Sequence, residues 1–433
     1  MLINRRKIYK FFRISSILII LLLIYMYTLV IETIPDDIVI FEDENIKLST
    51  IFGIKIDTQE TINASATITD SGIEEINQTI GEKKLKVSLF DNIFLKEVNV
   101  SVLPKTKVIP VGNVAGVKLY TSGVLVVGMS EIEGMDKKKY KPYENTGIQE
   151  GDTILSINEK EISSTEQLIE NVNKSKGKDV TIKYLHQEET KECSIKPVMT
   201  NANEYKLGLW VRDSAAGVGT VTFYEPSTKI FGALGHGITD IDTEELINIA
   251  SGEFVTTKIL NITKGESGNP GKIQGTVDNQ KNIGKIYKNS KFGIYGVVEN
   301  LANLNIDASK EMEIALRDEI KIGKAKILCS LDNKKVEEYE IEIEKIFKEN
   351  NYNNKSMKIK VTDEKLLEKT GGIIQGMSGS PIMQNGKFVG AVTHVLVNNP
   401  LEGYAVFGDI MLKQIKSIKW KNNKKIIAFL EKR

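Results

Sequence analysis

Gly376-Met377-Ser378-Gly379-Ser380-Pro381 is the segment of this sequence best suited to chemistry. A serine nucleophile needs a tight turn that exposes its oxygen and aims backbone N–H groups at a developing oxyanion. Glycines around Ser378 permit the dihedrals, and Pro381 fixes the exit. The plain alternative is a Gly/Ser turn ahead of a strand at Pro381-Ile382-Met383. Such a serine needs a base, and the histidines are His186, His236 and His394. His186 ends a strand pattern, and His394 lies in the run Ala391 to Val397, where a satisfied strand residue is expected. His236 sits in Gly232-Ala233-Leu234-Gly235-His236-Gly237, a glycine-flanked loop that suits a residue held for access, and it is the preferred base. For the acid that orients it, Asp363, Asp240 and Asp242 compete. Thr362 or Asp363 would equally N-cap a short helix ending at Gly371-Gly372, and Asp242 or Thr243 would cap the stretch after it. Spacing alone does not choose.

Composition removes most other chemistries. At about 100–200 residues per domain, 433 residues make two to four compact units. With 58 Lys+Arg against 57 Asp+Glu, no net basic domain points to nucleic acid. Cys193 and Cys329 are the only cysteines, which excludes a disulfide scaffold and a cysteine-ligated metal. One disulfide stays open in an oxidising compartment, although core thiols are the commoner outcome. No two histidines are four apart, so there is no H-E-x-x-H zinc helix; neither metal nor cofactor is expected.

The elements that must position these residues divide into four. Residues 1–35 carry an uncharged stretch, Ile14 to Ile31, behind Arg5, Arg6, Lys7, Lys10 and Arg13. That pattern fits a signal anchor with the basic side cytoplasmic and residues 32–433 outside. Val30-Ile31-Glu32-Thr33-Ile34-Pro35 lacks the A-x-A pattern of a cleaved signal peptide, and later cleavage stays open. Residues 36–104 alternate in period two, as in Lys84 to Leu89 and Glu97 to Val102, and read as a β-rich stalk or module. Residues 105–199 mix short strands with one helix, capped by Ser163 or Ser164 and facing inward through Leu168, Ile169 and Val172. Residues 200–433 show many short strands with glycine turns, which argues for a barrel or sandwich. The lysines from Lys413 to Lys425 read as a solvated helix face packing through Ile415, Ile418 and Phe429.

Three resemblances add to this. Gly147-Ile148-Gln149-Glu150-Gly151-Asp152-Thr153-Ile154-Leu155-Ser156-Ile157-Asn158, with the strands and helix around it, resembles a bacterial PDZ domain. Such domains add a peptide strand to a sheet edge and receive its carboxylate in a backbone nest. The resemblance implies a C-terminal peptide ligand at Gly116, Val117, Lys118 and Leu119. G-x-S-G-S-P is close to the G-D-S-G-G-P of chymotrypsin-like peptidases, which implies an oxyanion hole from the N–H groups of Gly376 and Ser378. Finally, Gly208 to Thr220, Phe231 to His236, and Leu366 to Pro381 continuing to His394 resemble the stage IV sporulation protein B family of PDZ-containing serine peptidases.

That last resemblance implies a mainly β chain: transmembrane helix, small β region, PDZ domain and chymotrypsin-like double β-barrel. It implies His236 as base, Asp363 as acid and Ser378 as nucleophile. It further implies cleavage of the chain itself and of a membrane-tethered regulator of an intramembrane protease, releasing a late mother-cell sigma factor, in the space between forespore and mother cell. The competing reading is a catalytically silent PDZ adaptor of the envelope. A quality-control peptidase of the high-temperature-requirement type fits less well, because it places the peptidase before the PDZ domain.

Overall fold

Period-two alternation becomes strands with one buried face through most of the chain. In Glu337–Ile346 the side chains of Tyr339, Ile341 and Ile343 are buried while Glu338, Glu340 and Glu342 alternate outward. The computed structural model describes residues 5–34, 36–42, 54–58, 80–89, 93–304, 306–347 and 354–415. The basic stretch beyond 415, with Ile418 and Phe429, lies outside the described residues.

Helix α1 (Arg5–Thr33) contains a 19-residue segment, Phe11–Leu29, long and apolar enough to cross a membrane. A four-stranded sheet follows, in the order Asp37–Phe41, Ile93–Leu103, Gly81–Leu89, Ile54–Thr58, around a core of Leu85, Val87, Val98 and Val100. This module belongs to one compact unit, and the chain from Thr106 belongs to a second.

The second unit holds two barrels. The first uses β1 (Val114–Met129), β2 (Leu209–Glu225), β3 (Ile230–Ala233), β4 (Ile249–Thr263), β5 (Lys272–Ser290) and β6 (Gly293–Val298). Antiparallel pairing runs β1-β4-β5-β6-β3-β2 and returns to β1, closing a ring of six. Closure leaves no exposed edge and encloses Val117, Leu119, Phe231, Phe254 and Ile294. The second barrel, also closed and six-stranded, uses β7 (Gly323–Cys329), β8 (Glu337–Ile346), β9 (Met357–Val361), β10 (Pro381–Gln384), β11 (Lys387–Leu396) and β12 (Asn399–Phe407). Two antiparallel six-stranded barrels are the double-barrel architecture the sequence led us to expect.

One boundary differs from that expectation. The PDZ core is built from Val124, Val126, Ile148, Ile154, Ile157, Leu168, Val172, Val180, Ile182 and Tyr184. It therefore begins inside β1, with α2 (Thr165–Lys174) and the strands Thr153–Ile157, Val180–His186 and Glu189–Ile195 completing it. Ser164 caps α2 as expected, but Ile169 is exposed, so the inner face is Leu168 and Val172 alone. The first half of β1 belongs to the barrel, so the PDZ domain is inserted between the first two barrel strands. A boundary at residue 199 does not describe this, because the barrel needs a strand from before the insertion.

The same fact corrects the expected peptide-binding residues. Gly116, Val117, Lys118 and Leu119 pair with Val218, Gly217, Ala216 and Ala215 on one side and with β4 on the other. Val117 and Leu119 point into the barrel core. A Cβ at Gly116 would lie 2.2 Å from Val277 Cγ1. No edge is left there for a peptide. Cys193 and Cys329 are free thiols.

The insertion makes a prediction. Val117→Asp puts a carboxylate into the first barrel's core and should remove amide-exchange protection at Phe231 and Tyr295, while Leu168 and Val172 in α2 stay protected. Loss of protection confined to α2 and its neighbours would place the strand in the PDZ domain instead.

Candidate active site

The segment around Ser378 leaves α3 (Glu364–Thr370) at the left-handed Gly371 and enters β10. The first barrel clamps it at three points. Thr220 donates its N–H to Ser378 O at 2.9 Å and its hydroxyl to Gly376 O at 2.7 Å. Ile273 donates to Gln375 O at 2.8 Å. The second barrel holds the other side, where Gly379 donates to Val392 O at 2.7 Å. Gly379 has φ +96°, and a Cβ there would sit 2.1 Å from Thr220 O, so no other residue fits without moving β2.

Within this turn Met377 N and Gly379 N are hydrogen-bonded, whereas the N–H groups of Gly376 and Ser378 have no acceptor among the described residues. Two unbonded N–H groups two residues apart, beside a half-buried serine, are what an oxyanion hole requires. The Ser378 hydroxyl donates to Thr393 O at 2.8 Å.

His236 reaches this place from β3. Leu234 (φ +69°) and Gly235 (φ +70°) are both left-handed and turn the chain sharply after Ala233. Leu234 donates to Thr220 O, and Gly235 packs on Thr393, whose carbonyl receives the serine hydroxyl. The two loops are therefore adjacent across the barrel interface. His236 Nδ1 lies 2.7 Å from Gly237 O. A carbonyl only accepts, so Nδ1 carries the proton and Nε2 keeps its lone pair. Burial pushes this ring below the ordinary imidazole value, partly offset by the Gly237 bond. Burial thus favours the neutral ring over the imidazolium.

His394 departs from its expected satisfied role. Its Nδ1 is buried with no partner among the described residues, and its ring centroid lies 5.1 Å from that of His236. Burial first, then His236 and Lys355, push it down to about 4. His186 pairs with Asp152 inside the PDZ domain, far along the chain from this site.

The structure does not bring Asp363 to His236. Asp363 N-caps α3: one carboxylate oxygen accepts from Leu366 N at 3.1 Å and the other from Glu340 N at 3.2 Å. Asp240 and Asp242 are also engaged elsewhere, both by Arg212. Among the described residues no carboxylate bonds to His236, and the Gly237 carbonyl does the orienting.

Two antiparallel barrels with a serine turn and a histidine loop meeting between them are the architecture of a serine peptidase of the double-barrel class. Residues 203–412 match the family model described as SpoIVB peptidase S55, and residues 120–196 match that of the PDZ domain. The chain is a PDZ-containing serine peptidase with a SpoIVB-type S55 domain. The S55 match starts after the insertion, so β1 lies outside it. No curated protein matches the chain. Among solved structures, the PDZ domain of the SdrC-like protein from Listeria monocytogenes is 21% identical, covering 21% of this chain and 87% of that one, at a TM-score of 0.17. An inactive form of the Rv3671c protease, known from M. tuberculosis, is 12% identical, covering 46% and 84%, at a TM-score of 0.27.

Two stability predictions follow from these placements. Asp363→Ala removes a cap and should cost about 1 kcal/mol in urea unfolding, while Asp363→Asn, an equally good cap, should cost little; equal losses would contradict the capping role. For His394, the unfolded ring protonates near 6.5 and the folded one near 4. Unfolding therefore takes up a proton between those values, and stability falls as pH drops through that window. Wild type should lose more stability than His394→Phe over it, and parallel losses would contradict the assignment.

Proposed function

We propose that the chain is a membrane-anchored serine endopeptidase working through Ser378 and His236. Ser378 Oγ leaves Thr393 O, gives its proton to His236 Nε2 and attacks the scissile carbonyl. His236 then protonates the leaving amine, and the N–H groups of Gly376 and Ser378 hold the oxyanion. The observation that carries this reading is the pair of unbonded N–H groups on a serine turn that Thr220 ties beside the His236 loop. Asp363 acts in this reading as the cap that sets the start of the serine segment.

The substrates we propose are the chain itself and a membrane-tethered regulator of an intramembrane protease, cleaved outside the cytoplasm between forespore and mother cell to activate a late mother-cell sigma factor. The S55 family description and the apolar helix support this. The silent-adaptor reading is weaker, because the expected peptide-binding edge is paired on both sides.

Expression of the full chain in membranes tests the proposal. Wild type should release fragments cut on the C-terminal side of α1, and Ser378→Ala and His236→Ala should remain full length. Because His236 titrates below the ordinary imidazole value, the acid limb of the cleavage rate should have its midpoint below about 6.5. Fragments from Ser378→Ala, or a limb above that value, would overturn it.

A further inference from the structure

β2 serves both cores. Its first part, Leu209 to Arg212, pairs with Met129, Gly128, Val126 and Leu125, on the PDZ half of β1. Leu209 and Val211 pack against the PDZ core. The approach and exit of this segment are fixed by α2. Tyr205 donates its N–H to Asn173 in the last turn of α2 at 2.9 Å, and Thr165 in the first turn donates to the Asp213 carboxylate at 2.8 Å. The segment thus runs beside α2 with a strand on its other flank. A PDZ domain takes an added peptide strand between a strand and a helix in this way. Here the occupant is the chain itself.

Arg212 points from this strand to the loop that carries the base. Its guanidinium bonds Asp240 with one nitrogen and Asp242 with the other, the latter at 2.7 Å. Asp240 lies four residues beyond His236 and is 2% exposed. Burial works to raise its pKa, but the N–H groups of Asp242 and Thr243 together with Arg212 outweigh it and hold it ionised. The opposite side of the same loop is held by Asn289, which bonds the backbone of Ile238 and Ile247. Between these two anchors nothing but Gly237, Ile238 and Thr239 separates His236 from the buried carboxylate.

We infer that Arg212 is a positioning residue for His236, acting through Asp240, and that the PDZ-seated strand carrying it makes the base's placement depend on the PDZ domain. The inference rests on the reading of His236 as the base. A peptide that took this groove would have to displace Leu209 to Arg212 and with it the clamp.

The test uses the full chain in detergent with two readouts: the rate at which a fluorophosphonate modifies Ser378, and the pH titration of each histidine ring by NMR. His394 is the other titrating ring against His236, with Lys355 near it, so the rings are followed separately. Arg212→Gln should slow modification by between about tenfold and about a hundredfold. It should also move the His236 titration up towards the ordinary imidazole value as the loop opens to water. Arg212→Gln alone strands a buried carboxylate and risks unfolding, so Arg212→Gln with Asp240→Asn is made beside it. That double variant should regain stability yet keep the slow rate and the raised titration. Restoration of rate and titration together with stability would show a merely structural role and overturn the inference. A wild type whose Ser378 is never modified would instead count against the peptidase reading, and the NMR titration would still decide the clamp.

Discussion

The rest of this structure depends on two strands that each serve two cores. β1 is 16 residues long and β2 is 17, and they pair in two stretches separated by an irregularity between Arg212 and Ser214, with a further shift between Trp210 and Val211. One end of the pair closes the first barrel, and the other end floors the PDZ domain. The register shifts between the two halves of the pair, so Val117 and Leu119 face the barrel core and, beyond the irregularity, Val124 and Val126 face the PDZ core. The PDZ domain is therefore inserted into the peptidase's first hairpin, and each core takes part of both strands.

The candidate site inherits its geometry from this arrangement. Thr220, near the end of β2, holds the serine turn through both its N–H and its hydroxyl, and receives the N–H of Leu234 just before the base. One residue thus ties the Ser378 turn and the His236 loop to the same strand. Around His236 the electrostatics combine a neutral ring with its tautomer set by Gly237, a second neutral imidazole at His394, and no carboxylate bonded to it among the described residues. Burial penalises the imidazolium and so favours the neutral form of His236.

Much of this was legible in the sequence. The turn glycines around Ser378 and the loop glycines around His236 announce unusual dihedrals, and Leu234, Gly235 and Gly379 have them. Period-two strands gave barrels, and Ser164 capped the helix it was expected to cap. What the sequence hid was long-range pairing. Gly116 to Leu119 reads like a PDZ edge because a short apolar strand looks the same whether its partner is a peptide or β2. Asp363 carried two readings with one signature, an acid or a helix cap, and only the positions of Leu366 N and Glu340 N separate them. His394 looked satisfied because strand neighbours such as Val392 and Val395 are apolar, whereas its Nδ1 is buried without a partner among the described residues.

Ser378 and His236 sit on neighbouring loops at the barrel interface with no carboxylate bonded to the histidine among the described residues. Intact-mass measurement of the full chain after fluorophosphonate treatment tests this arrangement most directly. One adduct on Ser378 is expected, absent in His236→Ala and retained in Asp363→Asn. An unmodified wild type that is demonstrably folded, or an Asp363→Asn variant as inert as His236→Ala, would contradict it.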